Sequence, residues 1–223
     1  MNTIKIGDVL IEKTAALAPM ASVADKAYRE ICKQFGAAYL IGEMASAKGL
    51  CYSDKKTHAL LSVEDYESPM AVQLFGDDPE YMAKATKIAD AYKPQIIDVN
   101  MGCPVPKVAG NGCGSALMKT PELAYDIIKA MTAVTDTPIT VKIRKGWNNE
   151  TVNAAPFAKL MQDAGAAAIT IHGRTKQQMY HPPVDLDIIK SVKEAVSIPV
   201  IGNGGITSAI EAKQMYDTTG CDL

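Results

Sequence analysis

The 223-residue chain lacks the cysteine spacings by which disulfide-bonded and zinc-binding proteins are recognised. Its five cysteines include no Cys-x-x-Cys pair; they are Cys32, Cys51, Cys103, Cys113 and Cys221. An odd count without such pairs argues against a disulfide framework and favours a reducing cytoplasm. A zinc site built from Cys103, Cys113 and a histidine is conceivable, but we expect no metal.

The chain also lacks a long apolar run and a strong charge of either sign. No segment is long and apolar enough to span a membrane, and residues 1–13 alternate polar and apolar side chains where a signal peptide would be apolar. The formal net charge is −2, so the overall composition does not indicate nucleic acid. At 48% hydrophobic residues, the composition is typical of one soluble α/β domain over residues 1–223.

What is present is a repeated pattern of short apolar runs separated by amphipathic stretches. Seven runs are predicted to be strands: Ala15–Met20, Ala38–Glu43, Met70–Phe75, Ile96–Asn100, Ile139–Arg144, Ala167–His172 and Pro199–Asn203. Helices are predicted between them near residues 24–35, 79–92, 121–134, 151–164, 185–195 and 207–217, several with a cap or first-turn proline. Such α/β alternation predicts a parallel sheet in a (β/α)8 TIM-type barrel that stops within or before its eighth strand. The alternation around Gly7-Asp8 predicts a hairpin over residues 3–13 that caps the bottom of this barrel.

Polar or reactive side chains stand in or just after most of these runs. They include Gln73, Asn100, Lys142, His172 and Asn203, and Cys103 follows the fourth run between a glycine and a proline. Each one alone has a structural explanation, and a lone cysteine is usually a buried one. In a TIM barrel, however, the C-terminal ends of the strands form one rim, where active sites lie. We therefore expect these side chains to converge on a single pocket.

The connections after the strands carry further signals. Residues 44–69 and 101–120 are too long for simple turns, which is typical of lids and binding loops. Gly110, Gly112 and Gly114 permit positive φ angles and close backbone approach, and the segment 203–207 precedes a helix where many barrels bind phosphate. Basic residues follow several strand ends, so the rim could be positive, or they could be ordinary solvated loop lysines.

These residues resemble a known family, the bacterial tRNA-dihydrouridine synthases, and in particular its subfamily B. The motifs that carry the resemblance are LAPMA (17–21), QLFG (73–76), DVNMGCP (98–104), NG (111–112), GSALM (114–118), VKIR (141–144), IHGRT (171–175) and PVIGNG (199–204). The resemblance implies an FMN-dependent barrel enzyme that reduces uridine in tRNA to 5,6-dihydrouridine. Hydride would pass from flavin N5 to uracil C6, and NADPH would supply the electrons.

The resemblance also implies a role for each matching residue. Cys103 matches the general acid that protonates uracil C5, a role that suits a thiol because it is mostly protonated at neutral pH. Lys142 matches a lysine at the pyrimidine edge of the flavin, and Gln73 a side chain that hydrogen-bonds the ring. The remaining cofactor matches are Pro19, Met20 and Ala21 against the ring, His172, and Asn203, Gly204 and Gly205 on the phosphate side. Asn100 and Arg174 match positions that would meet the flipped uracil.

The chain departs from the family at its C-terminal end. The family continues through the eighth strand into a Gly-Arg phosphate clamp and a helical tRNA-binding domain, whereas this sequence ends at Leu223. We therefore expect a fragment without that helical domain and with weaker FMN binding. Two alternatives stay open: a flavin oxidoreductase for free pyrimidines, similar to dihydroorotate or dihydropyrimidine dehydrogenases, and an inactive barrel fragment or RNA-binding module.

Overall fold

The computed structural model describes residues 3–223, which form two sheets. The small sheet pairs β1 (Thr3–Ile6) with β2 (Val9–Glu12) in antiparallel register. The large sheet contains β3 (Ala16–Leu17), β4 (Tyr39–Ser46), β5 (Met70–Phe75), β6 (Ile96–Met101), β7 (Ile139–Arg144), β8 (Ala168–His172) and β9 (Val200–Asn203). These seven strands are parallel and pair in chain order. The predicted α/β architecture of the TIM-barrel type is confirmed.

Helices connect the strands and cover the outside of the sheet. They are α1 (Lys26–Gln34), α2 (Ala47–Cys51), α3 (Lys55–Ala59), α4 (Pro79–Asp90), α5 (Pro106–Ala109), α6 (Pro121–Thr132), α7 (Ala154–Ala164), α8 (Leu186–Ala195) and α9 (Ala209–Thr219), with 3-10 turns at Asp65–Glu67 and Gly114–Lys119. The α4 helix begins as its sequence predicts, because the Asp78 carboxylate accepts from the amides of Glu80 and Tyr81. The α9 helix has Ser208 as its cap and begins at Ala209, two residues after the predicted start near residue 207.

Two strands differ from the predicted bounds by more than one residue, and β6, β8 and β9 differ by one residue each. The first strand of the large sheet pairs only at Ala16 and Leu17, because Pro19 has no N–H with which to continue a ladder. The second runs three residues further than predicted, to Ser46, and its register shifts between Ile41 and Met44. The two long connections are not irregular loops, since they contain α2, α3, α5 and both 3-10 turns.

The hairpin closes one end of the sheet and leaves the other end free. Ile4, Ile6 and Ile11 pack in one apolar cluster with residues near the N-terminal ends of the strands, such as Tyr39 and Ile96. Most of the remaining buried apolar residues fill the space between the sheet and the helices. The C-terminal ends of the strands are therefore the end at which polar side chains can gather. Among residues 3–223, no helix is both long enough and apolar enough to cross a membrane.

The two edge strands, β3 and β9, face each other across a cleft of about 290 Å³, which we call the seam. Residues 221–223 run along the β9 side of it. The Gly202 amide donates to the Leu223 carbonyl at 2.7 Å, and the Asp222 amide donates to the Val200 carbonyl at 2.7 Å, as in a parallel pair. The Tyr216 hydroxyl crosses towards the β3 side and donates to the Thr14 carbonyl at 2.8 Å.

Candidate active site

A chain of four buried polar side chains crosses β5, β6 and β7. The Asp98 carboxylate accepts from Thr140 Oγ1 at 2.6 Å and from Gln73 Nε2 at 2.7 Å. Gln73 Oε1 in turn accepts from Asn100 Nδ2 at 2.9 Å. Burial raises the pKa of Asp98, and the hydrogen bonds from Thr140 and Gln73 oppose that rise. Because each amide is bonded at both its oxygen and its nitrogen, the orientation of Gln73 and Asn100 is fixed.

Asn100, the last residue of this hydrogen-bonded series, holds the backbone of Cys103. Asn100 Oδ1 accepts from the amides of Gly102 at 3.2 Å and Cys103 at 2.9 Å. On the other side, the Cys103 carbonyl accepts from Ser115 N at 3.2 Å and Ser115 Oγ at 2.9 Å. Gly114 packs against it, since a Cβ there would lie 3.0 Å from the Cys103 oxygen. The Cys103 thiol is therefore a half-buried group on a backbone that is fixed from both sides.

Lys142 is a buried cation at the same rim. Its Nζ donates to Asn203 Oδ1 at 3.0 Å, and that is the one hydrogen bond of this ammonium within residues 3–223. Burial, together with the nearby charge of Arg144, lowers the pKa of Lys142 to about 8, while Asp98 opposes the shift. An ammonium has three N–H groups, so two remain to bind an oxygen-rich or anionic group.

His172 and Arg174 form a second pair beside it. Arg174 Nη1 lies 3.3 Å from His172 Nε2, and because arginine can only donate, Nε2 is the acceptor and the imidazole proton is on Nδ1. Burial and the charges of Lys142, Arg144 and Arg174 lower the pKa of His172 to about 2. Arg174 Nε is buried and has no partner within the described residues. A buried, unpaired guanidinium N–H is costly unless a ligand supplies the acceptor.

The loop after β9 completes this part of the rim with two glycines in positive φ. A Cβ on Gly204, whose φ is +116°, would lie 2.6 Å from His172 Cδ2. A Cβ on Gly205, whose φ is +70°, would lie 2.9 Å from Val184 Cγ2 and 3.3 Å from Arg174 Nη2. Only glycine can bring the backbone this close to the pair.

The predicted site residues thus fall into three groups and one outlying turn. Gln73, Asn100 and Cys103 share the hydrogen-bond chain; Lys142 pairs with Asn203; His172, Arg174, Gly204 and Gly205 lie together. Pro19, Met20 and Ala21 form the turn after β3, where the Met20 carbonyl accepts from the amides of Val23 and Ala24. No hydrogen bond within residues 3–223 joins this turn to the other three groups.

Two residues with structural importance at the site were missed by sequence reasoning. The first is Asp98, for which a carboxylate inside an otherwise apolar strand was the available signal. The second is Arg144, whose Nε donates to the Gly102 carbonyl at 2.8 Å and whose Nη1 donates to the carbonyls of Thr175 at 2.9 Å and Met179 at 2.8 Å. Arg144 therefore ties the Cys103 loop to the loop after β8.

Comparison with known sequences decides the family. The family model for Dihydrouridine synthase (Dus) matches residues 16–223, which is nearly the whole chain. The chain belongs to the dihydrouridine synthase family. Dihydrouridine synthases are flavin-dependent oxidoreductases, so the chain is assigned to that class of enzyme.

Individual relatives agree with this assignment. The chain is 41% identical over 218 residues to tRNA-dihydrouridine synthase B of Vibrio vulnificus (strain CMCP6), covering 98% of this chain and 68% of the relative. It is 40% identical over 220 residues to a probable tRNA-dihydrouridine synthase of Rickettsia conorii, covering 98% of this chain and 66% of the relative. The chain therefore spans about two thirds of the length of these curated relatives.

A solved structure shows the same fold at low identity. Histamine dehydrogenase from Rhizobium sp. 4-9 matches with a TM-score of 0.73 and 12% identity, covering 99% of this chain and 44% of that chain. The resemblance supports the barrel architecture of this dihydrouridine synthase. Within residues 3–223, no group of three His, Cys, Asp or Glu side chains is placed to hold a metal ion.

Proposed function

We propose that this dihydrouridine synthase reduces uridine in tRNA to 5,6-dihydrouridine, with FMN as cofactor and NADPH as electron donor. A tRNA substrate also favours a cytoplasmic location. The observation that carries the proposal is the Cys103 thiol, half-exposed on a backbone fixed by Asn100 and Ser115. It stands at the same rim as the cations Lys142 and Arg174, whose N–H groups are incompletely paired.

The residues of the rim suit a planar, partly anionic cofactor. Lys142 has two N–H groups to offer, Gly204 brings bare backbone next to His172, and Gly205 brings it next to Arg174. In this proposal Lys142, His172 and Gln73 contact the flavin ring, and the turn at 19–21 lies against the same ring. The segment from Asn203 to Gly205 lies on the side of the FMN phosphate. When bound, FMN would supply the hydride that adds to uracil C6.

The hydrogen bonds of Gln73 to Asp98 and Asn100 limit the number that it can make to the flavin. Its oxygen and nitrogen already bind Asn100 and Asp98, so one N–H and one lone pair remain for the flavin. The same side chain therefore connects the cofactor site to the Cys103 loop. A change at Gln73 would disturb both.

Cys103 is proposed to hold the proton that uracil C5 receives. Hydride addition at C6 leaves negative charge at C5, and a positioned acid that quenches this charge contributes typically 10²–10⁴-fold in rate. The hydrogen bonds of Asn100 and Ser115 position the thiol, while Arg174 offers a buried N–H to the uracil. His172 is neutral and holds Arg174 in place.

The test is the Cys103→Ala variant in a tRNA reduction assay with NADPH. We expect FMN binding, followed by its visible absorbance, to be retained and the rate of dihydrouridine formation to fall at least about 100-fold. The matched control is Cys32→Ala, since Cys32 is also half-buried but lies on α1, away from the rim. Unchanged turnover in Cys103→Ala would remove the thiol from the reaction. Reduction of free uracil, but not of tRNA, by the parent chain would favour the free-pyrimidine oxidoreductase.

A further inference from the structure

Part of the rim has a charge opposite in sign to that of the whole chain. The connections at 102–120, 145–153 and 173–185 carry five cations, Lys107, Lys119, Lys145, Arg174 and Lys176, against two carboxylates, Glu150 and Asp185. Asp185 is already paired with Lys145 at 3.1 Å. The connections after β6, β7 and β8 are therefore a positive region on a chain whose net charge is −2.

The chain's single tryptophan lies in this region, with the ammonium groups of two lysines over its ring. Lys119 Nζ lies 4.0 Å and Lys176 Nζ 4.5 Å from the centre of the Trp147 ring. Neither ammonium has a carboxylate within 4 Å among residues 3–223. We call Lys119, Trp147 and Lys176 the Trp147 patch. Cation–π contact holds both ammonium groups in place without neutralising them.

Hydrogen bonds to main-chain carbonyls fix the patch to the site. Asn153 Nδ2 donates to the Met118 carbonyl at 2.7 Å, which joins the loop of Trp147 to the turn that ends at Lys119. The Lys176 amide donates to the Gly146 carbonyl at 2.9 Å, and the Gln177 amide to the Trp147 carbonyl at 3.0 Å. Arg144 connects the loop of Lys176 to Gly102, next to Cys103. The three patch residues thus keep a set position relative to the thiol.

We propose that the Trp147 patch is a docking surface for the RNA substrate, in which Lys119 and Lys176, both positioned by the Trp147 ring, contact phosphates beside the target uridine. The proposal rests on the proposed function for the identity of the RNA. Cations interleaved with an aromatic ring are the combination that binds single-stranded nucleic acid. A substrate that must place its uridine at Cys103 passes over this side of the rim.

The experiment uses Trp147 as its own reporter. Excitation at tryptophan wavelengths reports on this residue alone, because the chain has one tryptophan. The parent chain with FMN, without NADPH, is titrated with unmodified tRNA transcript, and we expect saturable quenching of the Trp147 emission. Lys119→Ala and Lys176→Ala should each lower the slope of log affinity against log salt by about 1. Trp147→Ala, assayed by mobility shift, should weaken tRNA binding about tenfold, because both ammonium groups lose the ring that positions them.

A matched control separates this surface from general electrostatics. Lys129 also lies over an aromatic ring, that of Tyr125 at 6.0 Å, but it is in the last turn of α6, away from the rim. Lys129→Ala should leave the salt slope and the quenching unchanged. The lysine variants replace side chains that make no hydrogen bond within residues 3–223, so they test the patch even if Trp147→Ala fails to fold.

The possible outcomes test the proposal for the Trp147 patch separately from the proposed function. Binding of tRNA without any change in Trp147 emission and with parent-like salt slopes in both lysine variants would overturn the patch, whether or not tRNA is reduced. Quenching by vesicles of anionic phospholipid but not by tRNA would also overturn it and indicate a membrane surface. Quenching by tRNA with lowered salt slopes, but no dihydrouridine, would support the patch and contradict the proposed function.

Discussion

At the scale of single residues, Lys142 carries a charge that the fold accommodates poorly. Its side chain is buried, no carboxylate lies within 4 Å of its ammonium among residues 3–223, and burial lowers its pKa to about 8. An unfolded lysine titrates near 10.4. Below pH 8 the folded protein therefore holds a charge that the unfolded chain would hold more easily, which lowers stability. In the proposed function, this buried ammonium is available to bind an anionic group of the cofactor.

Lys142→Met should therefore stabilise the ligand-free protein and weaken its binding of FMN. The pKa difference corresponds to roughly 3 kcal/mol, the lost bond to Asn203 offsets about 1 kcal/mol, and we expect a net gain of about 2 kcal/mol at pH 7. The gain should be full below pH 8 and shrink between about pH 8 and 10.4, where the folded parent loses its proton first. Urea unfolding of both proteins from pH 7 to 10 measures this difference.

The comparison needs a lysine without such burial. Lys129→Met, on the exposed face of α6, should change the free energy of unfolding by less than about 0.5 kcal/mol at every pH. A Lys142→Met protein that is less stable than the parent at pH 7, or that binds FMN as tightly, would assign Lys142 to the packing of the barrel and not to the cofactor.

At the scale of elements, the turn Gly114–Lys119 supports the Cys103 loop. Gly114 has a φ of +59°, and a Cβ there would lie 3.0 Å from the Cys103 oxygen and 3.1 Å from its Cβ. Gly114→Ala must therefore displace Cys103, and we expect tRNA reduction to fall at least about tenfold while FMN binding persists. Gly112→Ala is the control, since its φ of +80° imposes similar strain but its nearest neighbour, Asp77, is 3.7 Å away. Equal rates in the two variants would show that backbone strain, not the position of Cys103, matters.

The central elements were the most predictable from the sequence. The bounds Met70–Phe75 and Ile139–Arg144 were predicted to the residue, because these strands are buried on both faces and form continuous apolar runs. The edge strand β3 was not, since its length depends on where Pro19 interrupts pairing. Asp98 and Arg144 were missed because their roles lie in contacts with residues far away in the chain, such as Thr140 and Thr175. A local pattern carries no trace of such contacts.

At the scale of the whole molecule, the sheet is well supported at its centre and poorly at its edges. The strands β6 and β7 are buried along their whole length and paired on both sides, whereas β3 pairs at only two residues. The Tyr216–Thr14 hydrogen bond is a side-chain link across the seam. The loop at 203–205, proposed to hold the phosphate side of FMN, lines that seam. The cofactor is thus expected to bind where the fold opens most easily.

Hydrogen exchange should reveal this arrangement. Within the large sheet, we expect the amides of β6 and β7 to exchange slowest and those at 15–18 and 200–205 to exchange fastest. Local opening costs the least free energy where strand pairing is sparse. Tyr216→Phe removes one hydrogen bond of about 1 kcal/mol and should speed exchange at 15–18 roughly fivefold, leaving β6 unchanged. Tyr125→Phe, on α6, should change exchange at neither place.

Saturating FMN should slow exchange at 200–205 more than at β6, because a ligand that binds only the folded state stabilises it. Uniform protection by FMN along the whole sheet would mean that FMN binding does not depend on the seam.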